Sequence, residues 1–230
     1  MHREIVLDTE TTGLSAQNGD RIVEIGCVEL INHIPSGNHY HTYVNPERDM
    51  PEGAFRVHGL SEQFLADKPL FTTIAQQFAD FIADSTLIIH NAPFDIGFLN
   101  AELKRSGRPQ LANPVIDTVQ LARKKHPGAR VGLDALCKHY NIDNSHRTLH
   151  GALLDSEILA EVYLELIGGR QVTLSLSANE QPTVTRAQKT VHTSYSSRLR
   201  PLVSPLSPEQ EKAHDELVKS LGEQAIWLDY

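Results

Sequence analysis

Two rhythms of apolar and polar positions alternate along roughly the first 170 residues. Ile5-Val6-Leu7 is an apolar, β-branched run, Arg21 to Ile31 is a longer one, and Tyr40-His41-Thr42-Tyr43-Val44 alternates with period two. Asn18-Gly19-Asp20 and Pro35-Ser36-Gly37-Asn38 supply turn residues between them, so the spacing predicts three strands in an antiparallel meander. Ile74, Phe78, Phe81 and Ile82 then recur at helical spacing, Leu87-Ile88-Ile89 reads as a short buried strand, and Ile96, Leu99 and Leu103 resume the helical period up to Gly107. Val115-Ile116 reads as a last strand, followed by helices near 118–126, 132–140 and 152–167, the final one stopped by Gly168-Gly169. The expected fold is α/β: a mixed sheet with a three-strand antiparallel start, parallel additions and flanking helices.

Beyond Gly169 the pattern gives way to a Ser/Thr-rich stretch punctuated by Pro182, Pro201, Pro205 and Pro208. The expected organisation is a folded domain over 1–170, a flexible linker over 171–206 and a helical peptide over 207–230. The 230 residues carry a formal charge of −8, with 15 basic and 22 acidic side chains in 1–170 against 6 and 7 in 171–230. An acidic domain cannot hold a polyphosphate by bulk positive charge, which excludes a basic-patch binder. Two distant cysteines, no leader and no apolar stretch near 18 residues predict a soluble, reduced, cytoplasmic protein with no membrane contact.

Four acids sit where carboxylates are costly. Asp8 and Glu10 follow a buried run, and strand alternation puts both on one face. Asp95, in His90-Asn91-Ala92-Pro93-Phe94-Asp95, falls in the first turn of a helix that Pro93 can start. Asp155 shares the stripe Asp155, Leu159, Val162, Leu166, so it faces the sheet with apolar neighbours. His150 lies five positions before Asp155, off its helical face, so it belongs on the loop before the helix, which Gly151 lets turn. Asp117, by contrast, reads as a helix N-cap.

Four carboxylates without cysteine or paired histidine favour hard divalent cations over a structural zinc. Two Mg²⁺ or Mn²⁺ ions about 3.5–4 Å apart would clamp an in-line phosphoryl displacement and neutralise the phosphodiester that an acidic protein repels. A histidine beside them suits the general base that deprotonates the attacking water.

Asp8-Thr9-Glu10-Thr11-Thr12-Gly13, Asn91-Ala92-Pro93-Phe94-Asp95 and His150-Gly151-Ala152-Leu153-Leu154-Asp155 resemble the three motifs of the DEDD-type 3′→5′ exonucleases, in the branch that uses histidine. The resemblance covers residues 4–170. It implies an RNase H-like fold, metal ligands at Asp8, Glu10, Asp95 and Asp155, and a catalytic base at His150. It implies further that His58, in Val57-His58-Gly59-Leu60, contacts the terminal nucleotide, with Thr11 and Thr12 near its sugar and base. A glutamate near that segment touches nucleotide in relatives; here Gly53 stands at the matching distance and Glu52 one position away.

Gln171-Val172-Thr173-Leu174-Ser175-Leu176 resembles a sliding-clamp docking motif, with Gln171, Leu174 and Leu176 as its contacts. Ser207-Pro208-Glu209-Gln210 has the form of a capping box opening a helix with Ala213, Leu217, Val218 and Leu221 on one side, followed by Trp227, the only tryptophan. An apolar cluster beyond a tether suggests a peptide that docks on another protein, with Leu217, Leu221 and Trp227 as anchors; the family resemblance implies that this partner is the catalytic (alpha) subunit of a polymerase. The leading expectation is thus a proofreading exonuclease subunit of a bacterial replicative polymerase, nucleoid-associated, acting on a single-stranded or frayed DNA 3′ end. Two readings compete with it: an RNA-trimming member of the same family, and a non-catalytic adaptor joining clamp to polymerase.

Overall fold

The computed structural model describes residues 2–168 and 207–220. The chain divides into two units, Met1–Leu176 and Ser177–Tyr230.

In the first unit, β1 (Arg3–Thr11), β2 (Ile22–Ile31) and β3 (Ile34–Tyr43) form the antiparallel meander, and β4 (Thr86–Ile89) and β5 (Val115–Asp117) add in parallel beyond β1. The strand order is β3-β2-β1-β4-β5. The β2–β3 turn lies earlier than the Pro35–Asn38 segment that suggested it. Asn32 and His33 make it, with φ of 50° and 63°, the pair of left-handed residues that matches the twist of a tight hairpin. Pro35 to Asn38 instead lie inside β3, which tolerates proline because it is an edge strand.

Alternation along β1 feeds two cores. Ile5 and Leu7 pack with Leu87 and Ile89 against Ile74, Phe78, Phe98 and Leu99 of α3 (Phe71–Ile82) and α4 (Ala92–Arg105). Val6 and Ile88 point the other way, onto Leu159 and Tyr163 of α7 (Ala152–Ile167). Each such fully buried Leu, Ile or Val contributes about 1.5–3 kcal/mol. On its outer side α7 meets α5 (Thr118–Lys125) and α6 (Leu133–Tyr140) through Val162, Leu166, Ala122 and Leu136. The short helices α1 (Glu52–His58) and α2 (Glu62–Leu65) follow the meander. Asp117 caps α5 by accepting from the Val119 amide at 2.9 Å, as its position suggests.

In the second unit α8 spans Pro208–Ser220. Its capping box is formed: the Gln210 amide donates to Ser207 Oγ at 3.3 Å, and the Ser207 amide to Gln210 Oε1 at 2.9 Å. Leu217 is exposed on this helix. Gln171, Leu174, Leu176, Leu221 and Trp227 lie outside the described residues. Among the described residues no helix is long and apolar enough to cross a membrane.

Candidate active site

The acids gather at the carboxyl end of β1, where side chains arrive from both layers. Asp8 and Glu10 project with Val6 towards α7, and Asp155, in the first turn of α7, meets them there. Asp95 comes from the opposite layer, in the first turn of α4, and is tied to β1 between the other two: its Oδ1 accepts from the Thr9 amide at 3.0 Å and from Thr9 Oγ1 at 2.7 Å. Two helix N-termini thereby aim their positive ends at one spot. His150 stands on the loop before α7, half exposed, and its amide donates to the Val57 carbonyl at 3.1 Å, which ties that loop to α1.

The closeness of the acids is written in their protonation. Burial, then the charges of Asp95, Glu10 and Asp155, pushes the Asp8 carboxyl well above its ordinary range, although Asp8 keeps part of its surface open to the cleft. Burial and the charges of Asp155, Glu24 and Asp95 push Glu10 up to about 8. Burial carries Asp95 to about 7 despite the Thr9 hydrogen bonds that favour its ionised form. Burial opposes ionisation of Asp155 as well, yet contacts with His150 and Arg147 hold its carboxyl below the usual value. Such a set wants cations. Oxygen donors dominate it, and Glu10, His150 and Asp155 each offer one ligand atom with all three atoms within 4.8 Å of one another, which fits a hard divalent ion. Asp8 and Asp95 stand outside that tight trio: the charges of Glu10 and Asp155 help raise Asp8, and the charge of Asp95 helps raise both Asp8 and Glu10.

Three of the four acids line two cavities. One, of about 480 Å³, is lined by Glu10, Thr11, Thr12, Leu14, His58 and Phe94 among others. The other, of about 420 Å³, is lined by Asp8, His90, Arg130, Asp134, Arg147, His150 and Asp155 among others. In the first, His58 Nδ1 accepts from the Leu60 amide at 3.0 Å, so Nε2 carries the proton. That Nε2 is buried without a well-formed hydrogen bond, the backbone of Thr11 giving the ring only a weak one, and a ligand would complete it. Thr11 Oγ1 donates to the Gly13 carbonyl at 2.6 Å, and Thr12 Oγ1 accepts from the Arg21 amide at 3.0 Å, so both hydroxyls shape the turn after β1. Gly53 lines this cavity, whereas Glu52 is exposed and paired with Arg56.

Two residues at the site had gone unread in the sequence. Arg147 forks both oxygens of Asp155, at 2.5 Å from Nε and 2.6 Å from Nη2. Gly26 of β2 is paired opposite Asp8, and a Cβ there would come within 2.2 Å of Ala152 C and Leu153 N, so only glycine lets the start of α7 lie on the sheet. A cation three positions from a candidate base, and a glycine inside a strand, were the available signals.

An exonuclease family profile matches residues 5–163. The chain belongs to the exonuclease family. Among its relatives, this exonuclease is 52% identical over 227 residues to DNA polymerase III subunit epsilon of Rickettsia prowazekii, spanning 97% of this chain and 98% of the relative. To DNA polymerase III subunit epsilon of Escherichia coli K12 it is 42% identical over 238 residues, spanning 98% and 97%. It is therefore a hydrolytic 3′→5′ exonuclease of the epsilon, proofreading type, and that family uses divalent metal ions. The solved structure of exonuclease X in complex with 5′ overhanging duplex DNA is 28% identical, with a TM-score of 0.58 over 71% of this chain and 90% of that one. E. coli exonuclease I in complex with a dA16 oligonucleotide shares the fold, at 16% identity and a TM-score of 0.63 over 73% and 41%.

Proposed function

We propose that this exonuclease trims mispaired nucleotides from a DNA 3′ end as the proofreading subunit of a bacterial DNA polymerase III. The observation that carries the reading is the convergence of Asp8, Glu10, Asp95 and Asp155 with His150, beside a cavity in which His58 presents an N–H without a well-formed hydrogen bond. The four carboxylates would hold two Mg²⁺ or Mn²⁺ ions, which supply charge neutralisation at the phosphodiester and a more acidic water. His150, on the cleft side, takes the proton from the attacking water. The terminal nucleotide occupies the cavity of about 480 Å³, a volume suited to a single small ligand. Leu14 and Phe94 offer apolar surface to its base there, and His58 Nε2 donates to it; Thr11 and Thr12 act through the backbone turn they hold. Selection comes from geometry: a mismatched end frays at lower cost and enters a site too narrow for a duplex.

The proposed division of labour is catalysis by 1–170, tethering by 171–206 and polymerase docking by 207–230. The formed capping box and the exposed Leu217 of α8 support a docking helix for the alpha subunit. The 171–176 segment would engage the sliding clamp. The setting is the bacterial cytoplasm, at the nucleoid. An RNA-trimming enzyme would share the site but has no use for such a tail, and an adaptor has no use for an intact acid set. The test is release of a 3′ label from a single strand in Mg²⁺ against EDTA, on DNA and RNA of one sequence. Metal-dependent release that favours DNA is expected; an intact label in both buffers defeats the reading.

A further inference from the structure

We infer that Arg147 is a built-in counter-ion that stands in for a divalent cation in the metal-free site and must be displaced for the ion to bind. The inference rests on the proposed metal role of Glu10, Asp155 and His150 and deepens it. The guanidinium lies where a cation belongs. Its Nε and Nη2 take both oxygens of Asp155, its Nη2 stands 2.7 Å from His150 Nδ1, and its side chain is only 7% exposed. Two of the three groups whose ligand atoms lie within 4.8 Å of one another are therefore occupied by one arginine.

The contact with His150 adds to this. Arg147 Nη2 reaches Nδ1, the same nitrogen that lies 3.1 Å from Asp155 Oδ2, so the guanidinium sits against both the ligand carboxylate and the ring of the candidate base. Arg147 thus engages a ligand and the base together.

Displacement is built for. The pair borders the cavity of about 420 Å³, into which a guanidinium can move, and Asp134 Oδ1 already accepts from Nη1 at 2.8 Å on the exposed side of that cavity. Arg147 would keep this anchor while letting go of Asp155. Charge favours the exchange, since one guanidinium carries a single positive charge against a site built of four carboxyl groups, where a divalent ion brings two. The buried Arg21–Glu102 pair, by contrast, involves no group of the acid set.

The test is Mn²⁺ binding to the full chain without DNA, read from the spectrum of the free ion, together with melting temperatures in EDTA and in saturating Mn²⁺. Arg147→Gln is expected to tighten Mn²⁺ binding by roughly tenfold, a common size for coupling between two sites. It should also lower the melting temperature in EDTA and leave it unchanged in Mn²⁺. Arg147→Lys, which keeps the charge but loses the fork, should fall between the two and carries the test if the glutamine variant does not fold. Unchanged or weaker Mn²⁺ binding in these variants overturns the exchange while the metal reading stands. A wild-type chain that binds no Mn²⁺ overturns both.

Discussion

One strand carries buried acids at both ends on the same face, and the two ends are treated in opposite ways. Glu4, at the start of β1, accepts from Tyr163 Oη at 2.6 Å and is flanked by His33 Nδ1 at 2.7 Å and His2 Nε2 at 3.2 Å. Six residues on, Glu10 meets Asp155, Glu24 and Asp95, and burial with their charge lifts its carboxyl to about 8. Elsewhere the molecule follows the Glu4 pattern: Glu102 is buried but forked by Arg21 and touched by Arg105. Where a carboxylate serves the fold, the chain supplies its partners. Where it is proposed to serve chemistry, compensation is left to something that arrives, and among the described residues Arg147 is the cation forked to the set.

Removing one acid at each end should separate the two kinds. Asp8→Ala is expected to lower the rate of 3′-label release by about a thousandfold or more, the scale on which loss of one member of a catalytic set acts. Its melting temperature in EDTA should stay level or rise, because a like charge leaves the cluster. Glu4→Ala should do the reverse, costing about 1–3 kcal/mol by stranding the buried Tyr163 hydroxyl and its neighbours while each folded molecule keeps its full rate. An Asp8→Ala protein within tenfold of the wild-type rate breaks the contrast.

A smaller loss is expected from Gly26→Val, which removes no acid. Its Cβ would collide with the backbone of Ala152 and Leu153, so α7 must lift and carry Asp155 with it. Misplacement of a catalytic group by about 1 Å can cost 10²-fold, and overpacking adds about 1–3 kcal/mol of destabilisation. Gly97→Ala is the control, since a Cβ there meets nothing within 4 Å and alanine favours the helix by roughly 0.5–1 kcal/mol. Equal rates for the valine variant and wild type would mean that the closeness of α7 to β2 does not position Asp155.

The contrast explains which parts could be read beforehand. Strand alternation in Ile5-Val6-Leu7 and the helical stripe through Asp155 report burial, which is periodic, so the mixed sheet and the four acids were legible, as was the loop position of His150. The β2–β3 turn was misplaced because Pro35 to Asn38 are turn formers by composition and outweighed Asn32 and His33, whose left-handed tendency is real but weaker than that of glycine. Arg147 and Gly26 were missed because each acts through a partner far in sequence or on another element: Gly26 serves Ala152, and Arg147 matters only once α7 brings Asp155 beside Asp8.

The prediction that tests the uncompensated end most directly is the pH dependence of stability without metal. Glu10 and Asp95 ionise near 8 and 7 in the folded chain against ordinary values of 4.5 and 3.8. Between those limits the folded state retains protons that the unfolded state has released. Their stabilising contribution is therefore complete below about pH 4 and is lost as pH rises towards 8. Glu29 gives the opposite sign: hydrogen bonds from Ser36, Arg3 and Asn38 hold it at about 2, so its contribution is present above 4.5 and is lost as pH falls towards 2. In EDTA the melting temperature should fall from about pH 5 to 8, and Glu10→Gln should flatten that slope by removing the larger of the two shifts. Mg²⁺ should flatten it too, by stabilising the ionised carboxylates that the bare site repels. A wild-type profile in EDTA that is already flat across this range would mean that the acids are compensated within the chain, and that the two ends of β1 do not differ in the way their surroundings imply.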